Sequence, residues 1–411
     1  MAATRRRRQR ALRKRRSIPK LPLLAAGVSA LAAGSVGAQS SLEFRYLTYK
    51  ESNQRTEVSN PWVFLNQDFG LKGGRLTLLF GYDTISGASP TGAYPTLDAT
   101  TSASGASSSS IPVVAYNDTR KSVSASYGRK FGAHLPEVDL SYSKENDYVA
   151  REAGLSDVWT IAKGRGTLHF GASVSSDVVT PVTTGVQHDK SSNGYALGFS
   201  WVLGASDLID LSASLNRLSG YLDDPYKVVP VGTTNVLEHR PDARSRYAAL
   251  FKYGHFYDGA NGALKLSYRY YWDDWSIAAH TLELLYDQRL GARWTVSPLL
   301  RLYTQSHASF FGYRFAAPQT FMSADYRLSA FESAQGGLTL AYAIKPGLVI
   351  TAGATYQNQR GVDRVIPDPA AVPPAARWLL EDGEGGEGGP ASVSAADLKV
   401  LTGTIGLSWR Y

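Results

Sequence analysis

From residue 41 onward the chain is a succession of short stretches in which apolar and polar residues alternate one by one. Leu76, Leu78, Phe80 and Tyr82 fall on one side of an extended strand, with Arg75, Thr77 and Asp83 on the other. The same period of two runs through Val138, Leu140 and Tyr142, through Leu168, Phe170, Ala172 and Val174, and through Tyr195, Leu197, Phe199, Trp201 and Leu203. It continues in Tyr247, Ala249, Phe251 and Tyr253, in Leu264, Leu266, Tyr268, Tyr270 and Trp272, and in Leu348, Ile350, Ala352, Ala354 and Tyr356. The last ten residues, T-G-T-I-G-L-S-W-R-Y, put Ile405, Leu407, Trp409 and Tyr411 on one face. A strand of this kind at the end of a soluble domain would leave an open apolar edge, whereas in a closed barrel it seals against the first strand.

The connections separate a barrel from a soluble sandwich, which would alternate too. Tight turn signals fall at residues 71–74, 132–136, 163–166, 204–207, 258–262, 290–293 and 345–347. Between them lie longer, polar connections at 87–117, 144–151, 177–191, 221–244, 307–319 and 359–397, with two short ones near Ser52 and Asp274. Every second connection is therefore tight, as in an outer-membrane barrel with both termini on the periplasmic side. One span strains the parity. Tyr326, Leu328 and Ala330 share the even phase of Leu338, Leu340, Tyr342 and Ile344, so residues 326–344 are read as one long strand reaching past the membrane. The fold class predicted is all-β: a single transmembrane antiparallel barrel of about 16 strands, with 14–18 allowed, long extracellular loops and short periplasmic turns.

Composition changes this picture little. The chain carries 24 Tyr, 14 Phe and 8 Trp but no cysteine, which excludes a disulfide framework and thiolate metal sites. Charge changes it more. The formal net charge of +8 suggests a nucleic-acid partner, yet residues 1–38 hold ten Lys and Arg and no acid, leaving the remainder at −2. That basic stretch is followed by an apolar, Ala-rich run and small residues at Val36, Gly37 and Ala38, the order of a signal peptide. Residues 1–38 are assigned as a cleaved signal and 39–411 as the barrel domain, exported to the bacterial outer membrane with no nucleic-acid partner.

Candidate chemistry is confined to charge. Lys265, Arg269 and Asp273, then Glu283, Asp287 and Arg289, then Arg301 fall on lumen-facing phases of three consecutive strands, about 4.8 Å apart. They form either a salt-bridge ladder stiffening a wet interior or a zone whose unpaired members select the charge that passes. Trp272 and Trp275 near an outer turn, and Trp294, Trp409 and Tyr411 near inner turns, fit interfacial girdles. The seven histidines are scattered, with only His169 and His307 on lumen phases and His255 facing lipid, and no nucleophile elbow, phosphate loop or metal-ligand spacing is present. No catalytic, cofactor or metal residue is assigned, and the chain is not read as an enzyme. Glu381, Asp382, Glu384 and Glu387 lie in a Gly-rich acidic stretch, taken as a solvated loop tip rather than a calcium loop.

Six stretches carry a resemblance: R-Y-L-T-Y-K-E-S (45–52), I-S-G-A-S-P (85–90), S-K-E-N-D-Y (143–148), E-H-R-P-D-A-R (238–244), Y-R-Y-Y-W-D-D-W (268–275) and D-Y-R-L-S (325–329). Together they resemble the family known as domain of unknown function 3570, which implies a Gram-negative outer-membrane barrel without an assigned activity. The tail likewise resembles the C-terminal signature of outer-membrane proteins, implying the barrel-assembly machinery as a partner. Physically, Gly87 and Pro90 suit a strand leaving the membrane into a constrained turn. Lys144, Glu145 and Asp147 sit at one outer rim, and Arg240, Asp242, Arg244 and Arg246 at another, with Asp325 and Arg327 pointing inward just below. They are expected to form a charged collar holding loops over the pore. The functional expectation is a porin-like channel or transporter for small solutes in outer-membrane lipid. The alternative is a loop-plugged scaffold docking a periplasmic or surface partner.

Overall fold

The computed structural model describes residues 40–53, 55–93, 96–98, 108–365 and 392–411. The chain opens with β1 (Ser41–Glu51), β2 (Glu57–Asp68) and β3 (Arg75–Pro90), followed by the small pair β4 (Thr96–Asp98) and β5 (Ser108–Ser110). Next come β6 (Val113–Gly128), β7 (His134–Lys144), β8 (Tyr148–Ile161), β9 (Gly166–Val179), β10 (His188–Val202) and β11 (Asp207–Gly220). A second small pair, β12 (Val228–Val231) and β13 (Thr234–Leu237), precedes β14 (Ala243–Tyr257), β15 (Gly262–Asp273), β16 (Ala278–Leu290) and β17 (Trp294–Gln305). The chain ends with β18 (Phe331–Lys345), β19 (Leu348–Gly361) and β20 (Leu398–Arg410).

Leaving out the two small pairs, sixteen strands form one closed barrel in chain order, and β20 seals it against β1. All pairings are antiparallel, so the wall satisfies its own backbone groups without water, the condition for standing in hydrocarbon. In the closing pair, Leu42, Phe44 and Tyr46 oppose Trp409, Leu407 and Ile405, all outward and exposed. Tyr411 donates its amide to the Ser40 carbonyl (3.0 Å) and its hydroxyl to Gln67 (3.2 Å), tying the last residue to the first turn.

The outward ladders match the sequence phases, because a one-residue slip in any strand would turn its whole apolar face inward. The inward phase is small in long stretches of wall: Ser192, Gly194, Ala196 and Gly198 on β10, and Ser212 and Ser214 on β11, alternate with exposed Tyr195, Leu197 and Leu211. Side chains of this size do not fill a sixteen-strand lumen. Short connections and both ends of the described chain gather at one rim, and all the long connections at the other.

Two sequence expectations need correction. The span at 326–344 is not one strand: β18 begins at Phe331, and Tyr326–Leu328 is a 3-10 turn folded into the mouth. Tyr326 and Leu328 keep an apolar alternation because they are buried there, so burial and strand phase produced the same pattern. Gly87 does not open a turn either, since β3 runs on to Pro90. With φ +121°, it brings the backbone so near the Arg55 carbonyl that an added Cβ would lie 1.7 Å from that oxygen. The proposed leader at 1–38 and the acidic tip at Glu381 to Glu387 lie outside the described residues.

Candidate functional site: the closed mouth

Loops 221–242 and 306–330 turn inward at the long-loop rim and pair with each other. Gly232 and Phe315 amides donate to Phe315 and Pro230 carbonyls (2.8 and 2.9 Å), and His239 and Met322 exchange both backbone bonds (3.0 and 2.8 Å). Apolar residues consolidate the contact. Val229 and Val231 bury against Met322 and Ala324, while Trp275 and Ile277 pack on Ala308, Phe310 and Leu328. Trp275, expected at the membrane interface, is only 3 % exposed; it meets Phe310 edge-on and carries the Arg244 guanidinium 4.1 Å above its ring. Trp272 does stand outside, stacked on Tyr247.

Between the two loops sits a lattice of six charges. Asp325 caps the 3-10 turn by accepting the Arg327 amide (3.1 Å) and also receives the Arg327 Nε (2.7 Å). Arg327 reaches on to Asp224 (2.6 Å), and Arg240 bridges Asp325 (2.9 Å) and Glu238 (2.6 Å). Glu238 further accepts the Asp224 amide (2.7 Å) and the Ser323 hydroxyl (2.5 Å). Lys227, 1 % exposed, donates to Ser89 Oγ (3.0 Å) and to the Pro90 carbonyl, beneath Tyr326. With all six groups ionised, three carboxylates and three cations make the lattice neutral.

Burial alone would raise the Asp325 carboxyl, but Arg327, Lys227 and Arg240 outweigh it and hold the group well below the usual carboxylate range. Glu238 goes the other way. Burial pushes it up to about 7 against the pull of Arg240, with repulsion from Asp224 and Asp325 adding to the rise. Burial also lowers the Lys227 ammonium, which Asp325 opposes.

Below the lattice is a cavity of about 360 Å³. Arg244, at its wall, binds Asp273 (2.5 Å), whose other oxygen accepts the Trp275 and Ile277 amides (3.1 and 2.9 Å). Lys190 is paired with Asp177 (3.8 Å) and Tyr148 (3.1 Å). Two lining arginines differ. Arg269 lies 5.4 Å over the Tyr271 ring and Arg246 has a buried Nε without a partner; among the described residues neither makes an ion pair. Farther down the wall the ladder residues pair, Lys265 with Asp287 and Glu283 with Arg301 (both 2.6 Å), in exposed positions.

The structure thus brings together Asp325 and Arg327, with Arg244 lining the cavity beside them. It also recruits residues to which no role was assigned, Asp224, Lys227 and Glu238, because inward folding of a loop leaves no periodic signal. Asp118, Glu145 and Asp147 also converge, their oxygens within 4.8 Å. These are hard donors of the kind divalent cations take, already engaged as a loop clasp by the Thr119 amide (2.7 Å) and the Tyr226 hydroxyl (2.8 Å). His134 and His255 each meet a carboxylate, Asp157 (2.6 Å) and Asp207 (2.7 Å), on the outer face near the short turns, away from the cavity.

All six stretches singled out by resemblance end at this rim, from Arg45–Ser52 on β1 to Asp325–Ser329 in the plug. A family model described as protein of unknown function DUF3570 matches residues 19–366. The chain belongs to this family. A search of curated proteins returns no match. Among solved structures, a bacterial polysaccharide outer membrane secretin is similar with a TM-score of 0.51 at 8 % identity, over 92 % of this chain and 100 % of that one. CdiB from Acinetobacter baumannii (0.46, 10 %, 90 % and 60 %) and the CymD monoaromatic hydrocarbon channel (0.40, 11 %, 91 % and 88 %) are also similar. At such identities the likeness concerns fold alone: this DUF3570 chain has the barrel architecture of outer-membrane proteins.

Proposed function

We propose that the protein is a selective outer-membrane channel for small anionic solutes, exported by the 1–38 leader and held shut at its extracellular mouth by its own loops. The observation that carries this reading is the pair Arg246 and Arg269. In the lattice above them the arginines and carboxylates are ion-paired and Lys227 is hydrogen-bonded, whereas among the described residues these two guanidiniums line the cavity without an ion pair. Unpaired cations in a narrow, partly dehydrated passage favour anions, since the same charge acts more strongly there than in bulk water. The small inward residues of the wall below offer a wide path towards the periplasm.

The neutral lattice favours a second reading, a permanently plugged scaffold that docks a partner. Planar-bilayer recording separates the two. A gated channel is expected to open rarely in the native protein, with the reversal potential in a salt gradient displaced towards anions, and Arg246→Gln with Arg269→Gln should abolish that displacement. Silence in both the native protein and a loop-loosened Arg327→Ala variant would leave the scaffold reading standing.

A further inference from the structure

On the outer face of the barrel, on the lipid side of the wall, Lys121 of β6 and Lys144 of β7 are directly opposed in register. Both are exposed, and so is Arg151 of β8, two residues beyond Val149, the partner of Lys144. Directly opposed like charges on neighbouring strands repel. Among the described residues none of the three has a carboxylate partner, in contrast to Lys50, which faces Glu57 at 4.0 Å. Tyr82 opposes Lys121 and Tyr142 opposes Arg151, so two exposed aromatic rings flank the cations. Lys144 ends β7 at the long-loop rim, which places the cluster at headgroup depth.

Immediately below is an outward cleft of about 620 Å³. Its floor runs across four strands as Ala125, Leu140, Ala153 and Val174, each the register partner of the next. Ala153 hollows it between Leu140 and Val174, which are more than half exposed, and Ala125 hollows it on the other side of Leu140. Cations at headgroup level over an apolar furrow match the two halves of one kind of molecule.

We propose that Lys121, Lys144 and Arg151 with the furrow below form a binding site for a phosphorylated, multiply acylated glycolipid of the outer leaflet, its phosphates bridging the cations and an acyl chain lying along Ala125 and Ala153. The site stands apart from the lumen and holds whichever way the channel question resolves. Charge complementarity selects the occupant: the phosphates relieve the Lys121–Lys144 repulsion, and a glycolipid supplies the chains as well.

The test is native mass spectrometry of the full barrel released from nanodiscs of phosphatidylcholine doped with bisphosphorylated lipid A, monophosphorylated lipid A or phosphatidylglycerol. The native protein is expected to retain one bisphosphorylated lipid A, the monophosphorylated form less well and phosphatidylglycerol least. The triple variant Lys121→Gln, Lys144→Gln, Arg151→Gln should lose at least tenfold in retention, while Lys50→Gln, at a cation paired with Glu57, should not. Filling the furrow by Ala125→Leu with Ala153→Leu keeps every charge and should also weaken retention, which separates a site from a merely basic rim. Equal retention of phosphatidylglycerol, or unchanged retention in the triple variant with its heat-modifiable folded band intact, would overturn the proposal.

Discussion

The two ends of the barrel are held together by different physics. At the short-turn end the wall relies on backbone ladders and outward aromatics such as Trp294 on Tyr342 and Trp409 on Tyr411, with rings 4.7 and 4.9 Å apart and facing lipid. These contacts are generic and need only the right phase. At the long-loop end two loops bury apolar residues and a lattice of six charges, in which Arg240 and Arg327 each bridge two carboxylates and Lys227 is held by hydrogen bonds. A buried ion pair adds little stability over an apolar replacement, but losing one member strands the other. The mouth is therefore specific and brittle, the wall redundant and tolerant.

The largest effect that would test this contrast falls on the closing strand. Deleting residues 409–411 removes the outward ring at the seam and the ties to Ser40 and Gln67. Outer-membrane levels of the folded, heat-modifiable barrel are expected to fall to about a tenth or less, and normal levels would show that the seam does not depend on its last residues.

Next comes Arg327→Ala, which leaves Asp325 and Asp224 buried and short of a partner at a cost of roughly 3–5 kcal/mol to the mouth. Loop cleavage by added protease should accelerate on the order of a hundredfold or more, with the barrel still resistant to unfolding in detergent. Loss of the barrel itself would mean that mouth and wall are one cooperative unit.

A smaller, pH-dependent effect follows from Glu238. An exposed glutamate loses its proton near 4.5, whereas buried Glu238 keeps it to about 7. The folded mouth thus holds an extra proton between these values, and its stability falls as pH rises through that window. Asp325 acts with the opposite sign, favouring the closed mouth once ionised and withdrawing that support only on strong acidification. Loop protection should be better at pH 5 than at pH 8, and Glu238→Gln should flatten the difference; a profile unchanged by that substitution counts against the assignment.

The smallest effect is expected on the wall. Arg301→Gln removes the half-exposed side of a solvent-accessible pair, worth roughly 1 kcal/mol or less. Thermal unfolding in detergent should shift little, and a large shift would make the ladder as specific as the mouth.

The contrast also explains what could be read from the chain. Strand phase and loop parity were legible because lipid imposes a period of two on every outward face, from Leu76 to Trp409. Lys265, Glu283, Asp287 and Arg301 were legible as a ladder for the same reason. Lys227 was not: it lies between Tyr226 and Val228 in a stretch that reads as a polar loop, and its burial depends on a contact with Pro90, 137 residues away. Tyr326 and Leu328 were misread because the inside of the mouth rewards the same alternation as the membrane. Trp275 was misplaced because an aromatic suits both a lipid interface and a packed plug.

Lys227 belongs to the loop between β11 and β14, whereas Pro90 ends β3, and going round the ring these strands stand almost opposite each other. The contact is thus a spoke across the bore, while Arg55, near the rim of β1, ties down the neighbouring start of β20 by donating to the Ala395 carbonyl (2.7 Å) and stacks on Tyr326. A hoop without spokes takes the shape that lateral pressure from the bilayer gives it. Among the described residues this one carries its own bracing at one end and none at the other, so its cross-section is set by the chain at the mouth and by the surrounding lipid at the base.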